Sequence, residues 1–346
     1  MNDAKLTRQL ETWFKANARD LPWRLDSRDP YHALVSECML QQTQVSRVLE
    51  KYQPFIDRFP TVQSLAQAPE EEVLAMWAGL GYYRRARMLH ACAQGIVKNH
   101  AGVVPNDVKQ LEDLPGIGRY TAGAIASMVF HQREPIVDGN VTRVLLRLHN
   151  KSVPQTDKET IKWAWQRATD LVLAADEPNV LNEAMMELGA TCCTPKNVRC
   201  DQCPLQSHCQ AFASGTTESI PLPKPRAKQK RMYCATIVST QEGSVLLEQR
   251  PASGMWANMF QAPTIERDDR QPTSAEIGEV LGIDHQQLTE LGQFTHITTH
   301  RIVEFVVYGA DGVQSTQSRA YRTLETLDQV AISNAQRKAM DVAGIL

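Results

Sequence analysis

Leu114-Pro115-Gly116-Ile117-Gly118-Arg119-Tyr120-Thr121-Ala122-Gly123, followed by Val137-Asp138-Gly139-Asn140, sets the frame for the whole chain. Val108 to Leu114 predicts a helix that stops at a proline, and Arg119 to Phe130 predicts a second, rich in small residues that allow close packing. Between them Pro-Gly-Ile-Gly makes a four-residue hairpin whose glycines tolerate positive φ and a close backbone approach. Its free N–H groups and the positive end of the second helix point the same way, which suits a phosphate. Such a unit holds a nucleic-acid backbone without reading sequence, although an ordinary helical turn is spelled alike. Asp138 adds weight by returning a carboxylate to the same mouth. It is also a natural N-cap for a helix over Val141 to Leu148, but Asn140 can serve there and leave Asp138 for chemistry.

A chain of 346 residues has room for two or three domains. With 37 basic and 39 acidic residues it is no polycation, so binding to nucleic acid has to use local basic surface. Lys224, Arg226, Lys228, Lys230 and Arg231 form such a run, whereas residues 233 to 346 carry 8 basic and 14 acidic side chains. The charged N-terminus, Met1 to Lys15, lacks the apolar run of a signal peptide, and no stretch reaches the length of a membrane span. A cytosolic monomer is expected. Eight cysteines in such a chain point to metal or free thiols.

Residues 4 to 18 predict an amphipathic helix with Leu6, Leu10, Trp13 and Phe14 on one face, broken by Leu21-Pro22-Trp23-Arg24. Asp29-Pro30 then caps a helix from Tyr31 to about Tyr52, whose apolar stripe of Leu34, Cys38, Val45 and Val48 includes Glu37 and Gln41. Glu37 therefore faces protein, either as a structural partner of an arginine or as an acid whose pKa desolvation raises. Gln41, Gln42 and Thr43 are either helix surface or fingers that replace a displaced base. Trp77-Ala78-Gly79-Leu80-Gly81-Tyr82-Tyr83-Arg84-Arg85 makes a turn presenting Leu80 and Tyr82 beside arginines, which suits stacking with phosphate contact; Tyr83 also reads as core. Cys193, Cys200, Cys203 and Cys209 are separated by six, two and five residues, compact enough to wrap a cluster, with zinc left open by spacing alone. Residues 214 to 231 read as a Pro-rich linker. Beyond it an α+β pattern begins, with strands over Met232 to Ser239, Val245 to Gln249, Leu288 to Thr295 and Ile302 to Tyr308, and helices over Ser274 to Leu281 and Asn334 to Val342.

On these residues the chain resembles the helix-hairpin-helix DNA glycosylases of the endonuclease III superfamily, and within them the MutY-type adenine DNA glycosylases. Ser36-Glu37-Cys38-Met39-Leu40-Gln41-Gln42-Thr43-Gln44-Val45 looks like that family's catalytic helix. The resemblance implies a multidomain protein. An all-α helix-hairpin-helix core with an iron-sulfur cluster loop would fill residues 1–213, its six-helix segment about 25–132 and its cluster subdomain made by the N-terminal helix with 133–213. A linker, 214–231, would lead to an α+β Nudix-like domain at 232–346. It also implies a [4Fe-4S] cluster on Cys193, Cys200, Cys203 and Cys209, with Cys193 chosen over Cys192 because it precedes Thr194-Pro195. Cys38, Cys92, Cys192 and Cys234 would remain packing thiols.

The same resemblance assigns Glu37 as the acid at the adenine, Asp138 as the anion beneath a developing oxocarbenium ion, and Tyr120 as the residue that orients them. Lyase relatives carry a nucleophilic lysine at the position of Tyr120, and a phenol forms no imine, so a monofunctional glycosylase is implied. The partner implied is double-stranded DNA with adenine opposite 8-oxoguanine or guanine. Arg24, Gln42, Thr43, Leu80, Tyr82, Gly116, Gly118, Asn140, Glu183, Thr299 and His300 would contact that DNA, with Tyr82 as wedge. Phe294 to His300 matches the lesion loop, usually ending Phe-Ser-His but here Thr298-Thr299-His300. No acidic Nudix box is present, which speaks against pyrophosphate cleavage. An endonuclease III-like lyase is the nearest alternative, opposed by Tyr120 and residues 230–346. From another class, a non-catalytic DNA-binding protein with structural zinc would reduce Glu37 to an ion-pair member and Asp138 to a cap.

Overall fold

The computed structural model describes residues 2–25, 27–223 and 229–346, so Lys224, Arg226 and Lys228 of the basic run lie outside the described residues. The helices are α1 (Asp3–Asn17), α2 (Pro30–Leu40), α3 (Val45–Arg58), α4 (Val62–Gln67), α5 (Glu70–Met76), α6 (Arg84–Asn99), α7 (Val108–Glu112), α8 (Arg119–Met128), α9 (Gly139–Leu148), α10 (Lys158–Ala174), α11 (Pro178–Thr191), α12 (Gln210–Ala213), α13 (Ser274–Leu281) and α14 (Asn334–Val342). The strands are β1 (Lys230–Val238), β2 (Thr240–Gln241), β3 (Ser244–Gln249), β4 (Phe260–Gln261), β5 (Thr264–Arg267), β6 (Thr289–Ile297), β7 (Arg301–Gly309) and β8 (Arg319–Thr323). They sort into two compact units. One holds residues 1–45, 59–66 and 91–225; the other holds 46–58, 67–90 and 226–346.

The first unit is built from helices. Its main core joins Leu6 and Leu10 of α1, Val144, Leu145 and Leu148 of α9, Leu171 of α10, and Leu181 and Leu188 of α11. α9 and α11 meet at very short range, since a Cβ on Gly189 would fall 2.6 Å from Asn140 Cβ and 3.1 Å from its backbone. At the hairpin Gly116 takes φ +77° and Ile117 N–H donates to Leu114 O at 3.1 Å, which closes the turn. Gly118, expected to need the same freedom, is extended at φ −101° and serves as the N-cap of α8.

α2 stops at Leu40 instead of running to Tyr52. Thr43 N–H bonds to Leu40 O at 3.3 Å, Gln42 takes φ +55°, and a new helix starts at Val45. The apolar stripe misled because α2 is buried at Tyr31 and from Ala33 through Met39, so no single face defines it. Asp29 does cap α2, its side chain accepting from His32 N–H at 2.9 Å, with Pro30 in the first turn.

The second unit carries two sheets. In one, ordered β5-β1-β7-β6, β1 runs antiparallel to β5 and parallel to β7, and β6 and β7 form a hairpin. In the other, β3 pairs with β2, β4 and β8. α13 and α14 span the segments expected of them, and α13 is closed by a Thr273–Glu276 capping box and by Gly282 at φ +71°. Among the described residues no helix is long and apolar enough to cross a membrane.

Candidate active site

Within the first unit, Arg24, Glu37, Gln42, Thr43, Tyr120, Asp138, Asn140 and Glu183 line one cavity of ≈470 Å³. That size suits a small organic group. Glu37 comes from the middle of α2 and is 6% exposed. Its carboxyl is pushed up to about 7, chiefly by burial and further by the negative Glu183 and Asp138. A hydrogen bond from Tyr120, whose hydroxyl donates to Glu37 Oε2 at 3.0 Å, works the other way. Burial, then Glu37 and Asp138, hold the phenol protonated well above its ordinary range.

Asp138 corrects one expectation. It is itself the N-cap of α9, Oδ1 accepting from Val141 N–H at 2.6 Å, and Asn140 lies inside the helix. Asn140 instead donates from Nδ2 to Asp138 Oδ2 at 2.9 Å, and Arg143 Nη2 donates to Asn140 Oδ1 at 2.8 Å. Burial raises the Asp138 carboxyl, while these bonds and the Arg143 charge favour its ionised form. Capping and exposure to the cavity coexist in one carboxylate.

The cavity wall holds a lattice of ion pairs that no spacing in the sequence revealed. Arg28 Nη2 lies 2.8 Å from Glu183 Oε1, Arg24 Nη2 2.8 Å from Glu187 Oε2, and Arg19 Nε 2.6 Å from Glu187 Oε1. Arg24 also lies 3.3 Å from Glu183. Arg28 precedes the Asp29 cap, so the geometry that starts α2 also brings a guanidinium to Glu183.

Outside this cavity, Gly116 and Gly118 are exposed at the start of α8, where no side chain of the described residues caps the helix. Cys193, Cys200, Cys203 and Cys209 form a patch with Cys192 at the end of α11. Cys193 and Cys192 are core members, Cys203 and Cys209 pack against them, and Cys200 interacts electrostatically with Cys193, Cys203 and Cys209. Arg147 Nη1 donates to Cys193 Sγ at 3.3 Å, and Arg147 Nη2 is buried without a partner. Among the described residues no group of three ligating side chains is drawn into metal-holding geometry. Four soft sulfur donors beside a buried cation with an unspent N–H nevertheless fit an anionic iron-sulfur group.

The remaining candidates lie in the second unit. Gly79 at φ +95°, Gly81 at +71° and Tyr82 at +47° turn the chain between α5 and α6. Leu80 is buried there, whereas Tyr82 is 51% exposed, and its hydroxyl lies 3.2 Å from Thr299 Oγ1. Thr298 closes the β6–β7 turn, its N–H donating to Arg301 O at 2.9 Å and its Oγ1 accepting from Arg301 N–H at 3.0 Å. Thr299 and His300 are exposed at that turn.

Residues 35–169 match the HhH-GPD superfamily of base excision DNA repair proteins, and residues 234–342 match the NUDIX domain. A structure of a thermostable thymine-DNA glycosylase is similar over 61% of this chain and 97% of its own, at 27% identity and TM-score 0.56. Fold and site thus define a helix-hairpin-helix DNA glycosylase with an appended Nudix domain. The adenine DNA glycosylase of Rattus norvegicus is 35% identical across 97% of this chain and 77% of its own length, and that of Homo sapiens is 34% identical across 96% and 73%. The chain belongs to the adenine DNA glycosylases.

Proposed function

We propose that the protein binds duplex DNA and releases adenine mispaired with 8-oxoguanine or guanine by hydrolysis, without cutting the strand itself. The observation that carries this reading is the Tyr120–Glu37 hydrogen bond in a cavity that Asp138 shares. An N-glycosidic bond breaks when the base is protonated and the sugar's positive charge is met by an anion. Glu37, still partly protonated near neutrality, supplies the proton to the flipped adenine. Asp138, whose carboxyl burial raises while Val141 N–H, Asn140 and Arg143 work against that rise, faces the sugar. Since two carboxyls so placed disfavour each other's charge, keeping the proton on Glu37 helps Asp138 stay ionised. Water, not a lysine, then completes the reaction.

The target base has to leave the stack, which is least costly at a mispair. In this reading Gln42 and Tyr82 fill the gap, the amides around Gly116 and Gly118 hold phosphate, Arg24, Thr43, Asn140 and Glu183 position the extruded nucleotide, and Thr299 with His300 tests the opposite base. Leu80 is buried at the same turn. A [4Fe-4S] cluster on Cys193, Cys200, Cys203 and Cys209 would cross-link the loop that carries Lys196 and Arg199. The protein is expected to act as a cytosolic monomer.

The test is base release against strand scission on duplexes with adenine opposite 8-oxoguanine, adenine opposite guanine, or an oxidised pyrimidine. Free adenine with strands intact until alkali is added is the expected result. Direct nicking at the pyrimidine would overturn the reading.

A further inference from the structure

We propose that Glu70, Arg87 and Asn258 are positioning residues that hold Tyr82 in register with Thr299, and so set the preference for 8-oxoguanine over guanine opposite the target adenine. The proposal deepens the function above and rests on it. The loop between β3 and β4 has φ +91° at Gly254, +57° at Trp256 and +57° at Asn258. Only the first is glycine. A side chain held in that region persists only where its surroundings over-determine it.

Here the surroundings are the stems of the loop that carries Tyr82. Asn258 Nδ2 donates to Glu70 Oε1 at 2.9 Å, and Arg87 Nε donates to the same oxygen at 3.1 Å. Arg87 Nη2 also donates to Ala257 O. Glu70 opens α5 and Arg87 lies in the first turn of α6, so one carboxylate ties both stems of the Trp77–Tyr83 turn to the strained loop. Burial would push the Glu70 carboxyl up, but the bonds from Asn258 and Arg87 outweigh it and hold it below the usual range. Trp256, at the centre of the strained loop, tilts against His296 of β6 at 5.7 Å and Phe305 of β7 at 6.4 Å. The loop therefore touches the stems of Tyr82 on one side and the strands that carry Thr299 on the other. Between the two tips stands the 3.2 Å Tyr82–Thr299 contact.

Guanine and 8-oxoguanine differ at the imidazole edge, where N7 accepts in one and N7–H donates in the other. A hydroxyl separates them only if its place is fixed to a few tenths of an ångström, because hydrogen bonds weaken steeply with misalignment. With Thr298 spent on the turn, Thr299 has Tyr82 as its side-chain support, and Tyr82 depends on the clamp.

The experiment uses the full chain with Asn258→Gly, which removes the clamp's amide and relieves φ +57°. Affinity and single-turnover adenine release are measured on duplexes with adenine opposite 8-oxoguanine and opposite guanine, together with the melting temperature. The expected result is an unchanged or higher melting temperature, an unchanged release rate at saturation, and an affinity ratio between the duplexes narrowed roughly fivefold, the worth of one neutral hydrogen bond. Tyr82→Phe added to Asn258→Gly should narrow it no further. Arg87→Lys, which keeps the charge but lacks the planar fork that reaches Glu70 and Ala257 O from separate nitrogens, should narrow the ratio alike. An unchanged ratio in Asn258→Gly, or a full additional effect of Tyr82→Phe, would overturn the clamp. Failure of the unaltered protein to release adenine would overturn the functional reading instead, so the two failures are distinct.

Discussion

Glu37 shows how one buried carboxyl links chemistry to stability. Its folded pKa of about 7 stands above the ordinary 4.5, so it favours the folded state fully below 4.5 and that contribution falls away as pH climbs through 7. Glu37→Gln, which stays neutral, should therefore melt higher than the unaltered protein at pH 8, by a margin on the order of 3 kcal/mol, with little difference at pH 4. The same variant should lose adenine release by roughly 10²- to 10⁴-fold, the usual worth of a general acid, while still binding mispaired duplex. A thermal melt series against pH with a single-turnover assay checks both. Tyr120→Phe makes a separate prediction. The phenol's hydrogen bond lowers the Glu37 carboxyl, so its removal raises it, and the alkaline limb of the pH–rate profile should move to higher pH. A limb that moved down would show that Tyr120 acts otherwise. At this scale the burial of Glu37 was legible because a carboxylate set in an apolar run is rare. Arg28 was not, because a long side chain reaching Glu183 leaves no trace in local spacing. The cap of α9 was given to Asn140 when it belongs to Asp138, because Asp and Asn are both good caps and only the start of α9 at Gly139 decides between them.

Among the elements, the crossing of α9 and α11 makes the sharpest prediction. The atoms nearest a Cβ on Gly189 all belong to Asn140, whose backbone and Cβ cannot retreat without moving the residue that bonds Asp138. Gly189→Ala should cost about 1–3 kcal/mol, the usual range for overpacking, and lower the melting temperature by several degrees. It should also reduce adenine release in the fraction that stays folded. A variant with normal stability and activity would mean that the crossing is loose. Long periodic elements such as α1, α13 and α14 were legible from their apolar spacing and end signals. β4, β5 and β8 were not, because strands of two to five residues pair through partners distant in sequence. α2 and α3 were fused in the reading for a different reason. A helix buried at all but Pro30, His32 and Leu40 carries no stripe, and a break at Gln42 carries no glycine or proline to mark it.

At the scale of the molecule, the composition change across residues 214–231 marks where the chain alters character, but cannot reveal with which residues 46–58 and 67–90 pack. Those segments cluster with 226–346. All the residues around the ≈470 Å³ cavity, by contrast, come from the first unit. A chain ended after residue 225 therefore keeps Glu37, Tyr120, Asp138 and the ion pairs around them. It loses Thr299, Asn258 and the sheet core, leaving α3, α5 and the start of α6 without the residues they cluster with. Such a chain should still release adenine opposite guanine, slowly and with a lower melting temperature. Its preference for 8-oxoguanine over guanine should collapse to near parity, since the hydroxyl that tests the opposite base is gone. Single-turnover release on the two duplexes measures this directly. Complete loss of adenine release in a chain that remains folded would show that the second unit contributes to the chemical step itself, and the division of labour between cavity and recognition loop would have to be redrawn.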